Sequence, residues 1–248
     1  MTAFRPKHLS VSAVQLYVTC PAQYRRRYVD KLVTPTNQYL SFGSVFHAAL
    51  EAEHRGQDSE RVLIAEWNKR QAILDAANLG MMPSKTHALA LLDEYKQLGL
   101  GGKVGIPERK FVRRLPMANV PVPILGYVDL TLPERRRFRE NKTTSGTSWT
   151  REKAQSERQL HVYGWDYQQT YRHRAECAEY VIFGTVTPTV EVLEVVPSAD
   201  GLRAFETEVE AVWAGIVKGE YPPCGECPEL CKPPSARPDN GPAVTWDE

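Results

Sequence analysis

The chain has 248 residues, 42% of them apolar and 25% charged, with a formal net charge of +1. This is ordinary globular composition, long enough to bury a core in one large or two small domains, and it leaves no overall charge to attract polyanions. With no export signal and no apolar run long enough to cross a bilayer, a soluble cytoplasmic protein without membrane contact is expected.

Residues from Leu9 to Val29 read as two short helices. Ser12 and Gln15 fit a capping box for the first, and Cys20-Pro21 restarts a second that carries Arg25, Arg26 and Arg27. Phe42-Gly43 opens a helix over Ser44 to Glu51, in which His47 and Glu51 sit one turn apart on one face. A histidine there is either a packed core residue or a ligand, and only another element can decide. An amphipathic helix follows from Asp58 to about Asn78, then another from Ser84 to Leu98, ended by the four glycines between Gly99 and Gly105. This helical block reads as a wall or lid.

Val104 to Leu115 reads as a strand with Ile106, Glu108, Lys110 and Val112 on one face and Phe111 on the other. An inward Glu108 is costly unless it meets a cation or a donor. Next comes a hairpin, Gly126 to Leu132 and Arg137 to Thr144, turning through Pro133-Glu134-Arg135-Arg136. A turn centred between Glu134 and Arg135 sets Asp129 opposite Glu140, close enough to share one hard cation. Lys142 returns to the face of Glu140 two residues on. Two carboxylates and an amine suit phosphodiester hydrolysis, with carboxylates holding Mg²⁺ and the lysine offsetting charge on phosphorus. The alternative is a surface hairpin whose Glu140 and Lys142 are merely solvated.

Thr150 to about Arg174 reads as one long helix on which Gln159 and Tyr163 project together. Strands over Glu179 to Val186 and Val190 to Val196 and a helix over Ala199 to Lys218 complete a sheet flanked by helices. Basic residues are clumped at 25–27, 113–114, 135–137 and at Arg151, Lys153 and Arg158, suited either to phosphates or to solvated faces. Residues 232–248, with four prolines, are expected to be flexible. No phosphate-binding G-x-x-x-x-G-K-[ST] loop occurs. Cys224, Cys227 and Cys231 form a C-x-x-C-x-x-x-C run, with Cys20 and Cys177 apart, and metal ligation explains them better than disulfides. Cys177 reads as a packed residue.

The ordered set Leu9-Ser10, Cys20-Pro21, Tyr24, Gly43-x-x-x-His47, Glu108, Gly126-x-x-Asp129, Glu140-x-Lys142 and Gln159-x-x-x-Tyr163 resembles the RecB-type branch of the PD-(D/E)XK nucleases. That branch includes the CRISPR-associated adaptation nuclease and many phage exonucleases. The resemblance implies an α/β (α+β) fold, restriction-endonuclease-like: a central mixed sheet flanked by helices, with an N-terminal helical insertion and a cysteine-stapled C-terminus. It implies one nuclease domain over residues 1–231, with a helical subdomain at about 44–98, a catalytic sheet core at about 104–218 and a staple joining Cys20 to 224–231. His47, Asp129 and Glu140 would bind Mg²⁺ or Mn²⁺, Lys142 would be catalytic, and Gln159 and Tyr163 would orient the lysine or touch the DNA backbone. Glu108 matches an acidic position found before the hairpin in many relatives, either metal-linked through water or structural. Cys20, Cys224, Cys227 and Cys231 match the layout of a 4Fe-4S iron-sulfur cluster, for which Zn²⁺ is the alternative occupant. The implied activity is a DNA exonuclease on single strands or duplex ends, in recombination, phage DNA processing or CRISPR adaptation, with a protein partner of that pathway. The rival readings are a DNA-binding adaptor that keeps the fold without turnover, and a zinc-stabilised structural protein.

Overall fold

The structure is a computed structural model that describes residues 4–32, 38–75, 84–116, 120–145 and 149–225. Cys227, Cys231 and the tail 232–248 lie outside them. The chain forms two compact units, the smaller from residues 1–35, 112–125 and 203–248, the larger from 36–111 and 126–202. No described helix is long and apolar enough to cross a membrane.

In the smaller unit a two-residue strand β1 (Leu9–Ser10), unforeseen in the sequence, leads into α1 (Val11–Thr19) and α2 (Pro21–Tyr24). The cap of α1 is Ser10, two residues before the expected Ser12: Ser10 is extended and its hydroxyl accepts from the Ala13 amide, whereas Ser12 already lies in the helix. Pro21 opens α2 as expected, and the arginine triplet continues it in a π-helical turn, Arg25–Val29. β1 runs parallel to the start of a longer strand, Leu9 pairing with Ile124 and Ser10 with Leu125.

The larger unit begins with α3 (Gln38–His54), α4 (Ser59–Lys69), α5 (Gln71–Asp75) and α6 (Lys85–Gln97). The expected helix from Asp58 is interrupted at Arg70, which leaves helical geometry as its guanidinium turns back onto Glu66. Phe42, Val45 and Phe46 of α3, Trp67 of α4 and Leu91 and Tyr95 of α6 share one core with Val181 and Phe183 of the sheet. The Phe46 and Phe183 rings meet edge to face at 4.6 Å.

The strands are β2 (Ile106–Arg113), β3 (Ile124–Leu132), β4 (Arg137–Thr144), β5 (Cys177–Gly184) and β6 (Thr189–Val195), the two hairpin segments lying where the sequence placed them. β2 pairs with β3, β3 with β4 antiparallel, β4 with β5 parallel and β5 with β6 antiparallel. A parallel pair needs a crossover, supplied by α7 (Arg151–Ser156) and α8 (Arg158–Tyr171). The single helix expected there is two, because Glu157 is extended (φ −68°, ψ 128°). The chain then forms α9 (Ala199–Lys218), with the bounds read from the sequence. Cys177 is buried at the start of β5.

The helical block is pinned to the sheet by a buried polar network. Arg139 of β4 is 1% exposed and donates to Glu179 of β5 at 2.9 and 2.7 Å, to the Tyr95 hydroxyl at 2.6 Å and to the Leu100 carbonyl at 2.8 Å. His54 of α3 faces the Gly102 carbonyl through Nδ1 and the Tyr95 hydroxyl through Nε2. A buried cation with all three nitrogens engaged specifies one seat for the helices better than an apolar contact, which tolerates sliding.

Gly126 shows how tightly the other side is packed. A Cβ there would stand 2.3 Å from the Phe111 ring and 3.0 Å from that of Tyr163, which are already edge to face at 5.6 Å. Gly126→Ala is therefore expected to cost about 1–3 kcal/mol in urea unfolding, with part of the loss restored by adding Phe111→Leu. An unchanged midpoint for the single variant would contradict this packing.

Candidate active site

The antiparallel register pairs Leu130 with Arg139, Thr131 with Phe138 and Leu132 with Arg137, the register a turn between Glu134 and Arg135 requires. Arg136 takes the left-handed conformation at the turn (φ 52°). One step further, at Asp129 and Glu140, side chains bond across the strands. Asp129 Oδ2 accepts from the Asn141 amide at 2.7 Å, and Glu140 Oε1 accepts from the Asp129 amide at 3.4 Å. Each carboxylate thus satisfies a backbone donor of the opposite strand.

Three elements meet here. His47 of α3 places Nδ1 3.6 Å from Asp129 Oδ1. Glu108 of β2 joins them, so that one ligand atom from each of His47, Glu108 and Asp129 lies within 4.8 Å of the others. Glu108 has φ +48°, a left-handed conformation that a non-glycine residue adopts at a cost. Its neighbour Arg109 is held firmly, donating to Thr131 Oγ1 at 3.0 Å and to the fully buried Asp166 of α8 at 2.5 Å.

Lys142 Nζ lies 3.3 Å from Glu140 Oε2 and donates to Gln159 Oε1 at 2.6 Å. Gln159 Nε2 donates in turn to the Tyr163 hydroxyl at 3.1 Å, which fixes the amide with its oxygen toward the lysine. The break at Glu157 is what starts α8 afresh and places Gln159 in its first turn.

Of the expected residues, His47, Asp129, Glu140, Lys142, Gln159 and Tyr163 therefore come together around one spot. Among the described residues, His47, Glu108 and Asp129 form the group whose ligand atoms lie within 4.8 Å of one another, and Glu140, expected as a ligand with His47 and Asp129, lies alongside, bonded to the Asp129 amide and Lys142. The sequence signal for Glu108 was a carboxylate with no local partner on a strand. Arg109 and Asp166 carried no signal, being far apart in the chain. Three arginines of the clumps are in ion pairs, Arg25 with Asp30, Arg136 with Glu176, and Arg137 with Glu179 and Glu194. In the smaller unit Cys20 is fully buried between α1 and α2 and Cys224 is half-buried. The helices on either side of Cys20 are tied to the segment leading to Cys224, with the Tyr17 hydroxyl donating to the Glu220 carbonyl at 2.5 Å and Tyr24 stacked on Tyr221.

The family model described as the PD-(D/E)XK nuclease superfamily matches residues 8–234. The chain belongs to the PD-(D/E)XK nuclease superfamily. Among solved structures, the nuclease chain is similar to a protein from Eubacterium rectale whose name proposes an exonuclease, at 12% identity and a TM-score of 0.59 over 96% of this chain and 91% of that one. It is also similar to SSO0001, at 13% identity and a TM-score of 0.46 over 92% and 85%. No curated protein matches it. The mixed sheet flanked by helices is the restriction-endonuclease-like architecture of this superfamily.

The nuclease's electrostatics follow from crowding three carboxylates. Burial, reinforced by Asp129 beside it, pushes Glu140 up to about 8, and burial with Asp129 and Glu51 pushes Glu108 up to about 7. Burial opposes the charged form of Asp129 too, but His47 and Lys142 outweigh it and hold that carboxyl below its usual value. For His47, burial disfavours the imidazolium and Asp129 more than compensates, raising its pKa. Glu108 and Glu140 bind protons more tightly folded than unfolded, so their contribution is complete below about pH 4.5 and is lost as pH rises toward 8. His47 acts in the same direction, and the lowered Asp129 matters only in acid. In chelator, the urea midpoint is expected to fall between pH 5 and 8, less steeply in Glu140→Gln. A midpoint that rises over this range would contradict the crowding.

Proposed function

We propose that this nuclease is a divalent-cation-dependent DNA exonuclease of the RecB-type branch, acting on single strands or duplex ends. The observation that carries the reading is the convergence of His47, Glu108 and Asp129 beside an anchored Lys142. The exonuclease proposed by the name of the Eubacterium rectale protein is in keeping with it. One imidazole nitrogen and two carboxylate oxygens form a hard donor set suited to Mn²⁺ or Mg²⁺. Burial first, and then the neighbouring Asp129, raise the affinity of Glu108 and Glu140 for protons, and a cation would offset both effects.

His47, Glu108 and Asp129 would hold the cation, with Glu140 alongside. When bound, it lowers the pKa of water and draws charge from a phosphate oxygen. Lys142 supports the negative charge that builds on the phosphate, its ammonium held by Gln159 and Glu140 so that little reorganisation is needed. Tyr163 orients Gln159 and so acts on the lysine through it.

Cys20, Cys224, Cys227 and Cys231 are read as ligands of a 4Fe-4S cluster, with Zn²⁺ the alternative, and the tyrosine ties between the two ends of the smaller unit support that staple. The resemblance carries the setting with it: a cytoplasmic protein of recombination, phage DNA processing or CRISPR adaptation, working with a protein partner.

Labelled DNA should be degraded only when Mg²⁺ or Mn²⁺ is present. Lys142→Ala should slow cleavage by about 10²–10³ while Mn²⁺ still raises the melting temperature, and Asp129→Ala should lose both responses. Wild-type cleavage by either variant would sink the site. Visible absorption with about four irons per chain is expected of anaerobically purified protein, and a colourless zinc protein would replace the cluster with zinc.

A further inference from the structure

The strands that supply Glu108 and Asp129 present a second pair of side chains beside them. Along β2, Arg109 reaches Asp166 of α8 and Phe111 packs on Tyr163 of the same helix, while Lys110 between them is exposed. Along β3, Gly126 turns toward Phe111 and Tyr163 and Val128 is buried, while Tyr127 between them is exposed and Asp129, two residues on, joins Glu108. Lys110 Nζ stands over the Tyr127 ring, 5.7 Å from its centroid. Lys110 and Tyr127 thus meet two residues along their strands, about 7 Å, from Glu108 and Asp129.

Tyr127 is 41% exposed and Lys110 is exposed. The packing of this part of β3 is done by Gly126 and Val128, so the ring is not needed there by the core. A large, wet aromatic capped by a cation and set next to a candidate phosphate-cleaving centre has the chemistry of a base platform: every nucleobase has a π-face to stack, and the ammonium can meet a neighbouring phosphate. The cation–π contact restricts the ring in advance, which lowers the ordering cost of binding.

We propose that Tyr127 and Lys110 form a stacking subsite for an unpaired base of single-stranded nucleic acid, one belonging to a nucleotide that adjoins the reacting phosphate. The inference rests on the nuclease reading for the position of that phosphate. It predicts tighter binding of single strands than of intact duplex at this face, because a base inside a duplex is already stacked and must be extruded before it can lie on Tyr127.

The test is binding in EDTA, without turnover, of a single-stranded oligonucleotide carrying one 2-aminopurine, whose fluorescence is quenched by stacking. Wild type and Tyr127→Phe should quench it and bind alike. Tyr127→Ala should lose the quench and about tenfold in affinity, at an unchanged melting temperature, while its affinity for closed circular duplex stays within about twofold of wild type. Lys110→Gln should keep the quench and reduce the slope of log affinity against log salt by about one. The subsite is overturned if wild type does not bind the single strand, if Tyr127→Ala matches Tyr127→Phe, or if it weakens duplex binding equally. A protein that cleaves DNA with Mn²⁺ yet shows no Tyr127-dependent quench loses the subsite alone, and one that shows the quench yet cleaves nothing loses the nuclease reading alone.

Discussion

Glu108, Asp129 and Glu140 are held around one spot, with His47 and Lys142 among the cationic groups that balance them. Buried carboxylates repel one another and resist leaving water, so such an arrangement persists only if the scaffold gives them no retreat. Much of the larger unit can be understood as that scaffold. Asp129 and Glu140 are each committed to a backbone amide across the hairpin, which binds the acids to the strands and the strands to each other. The negative charge that remains is what makes the place attractive to a cation.

Two supports keep the acids in place from opposite sides. Toward α8, Arg109 is clamped by Asp166 and Thr131 next to the strained Glu108, and the Phe111 and Tyr163 rings close over Gly126. Toward the helical block, Arg139 locks Tyr95, Leu100 and Glu179 one residue from Glu140, and Tyr95 in turn holds His54, two turns beyond His47 on α3. Neither ion pair need add net stability, since desolvation offsets most of the attraction. Their effect is geometric: each fixes one chain position beside a carboxylate. The block first read as a wall or lid is therefore what delivers His47.

Much of this was legible in the chain. The hairpin register followed from the turn and from period-two alternation, which together leave one pairing that keeps the apolar residues on the buried side. That Gln159 and Tyr163 project together followed from helical spacing, the link to Lys142 came from the resemblance, and α9 was read to the residue. What escaped was decided by contacts rather than period. Ser10, not Ser12, caps α1 because its own backbone is extended there, and Arg70 and Glu157 interrupt long amphipathic runs whose composition favours continuing.

By itself the sequence determined which side chains each element would offer: an acid on each hairpin strand, a lysine two residues on, a histidine on a helix face and a glutamine above a tyrosine. Those are local periodicities, written every two or every 3.6 residues. Only the tertiary structure decided that Glu108, with a left-handed backbone beside the clamped Arg109, would come within reach of His47 and Asp129. It also decided that Tyr127 and Lys110 would stand out next to them. Contacts between residues distant in the chain are set by how whole elements pack, and no local pattern encodes that distance.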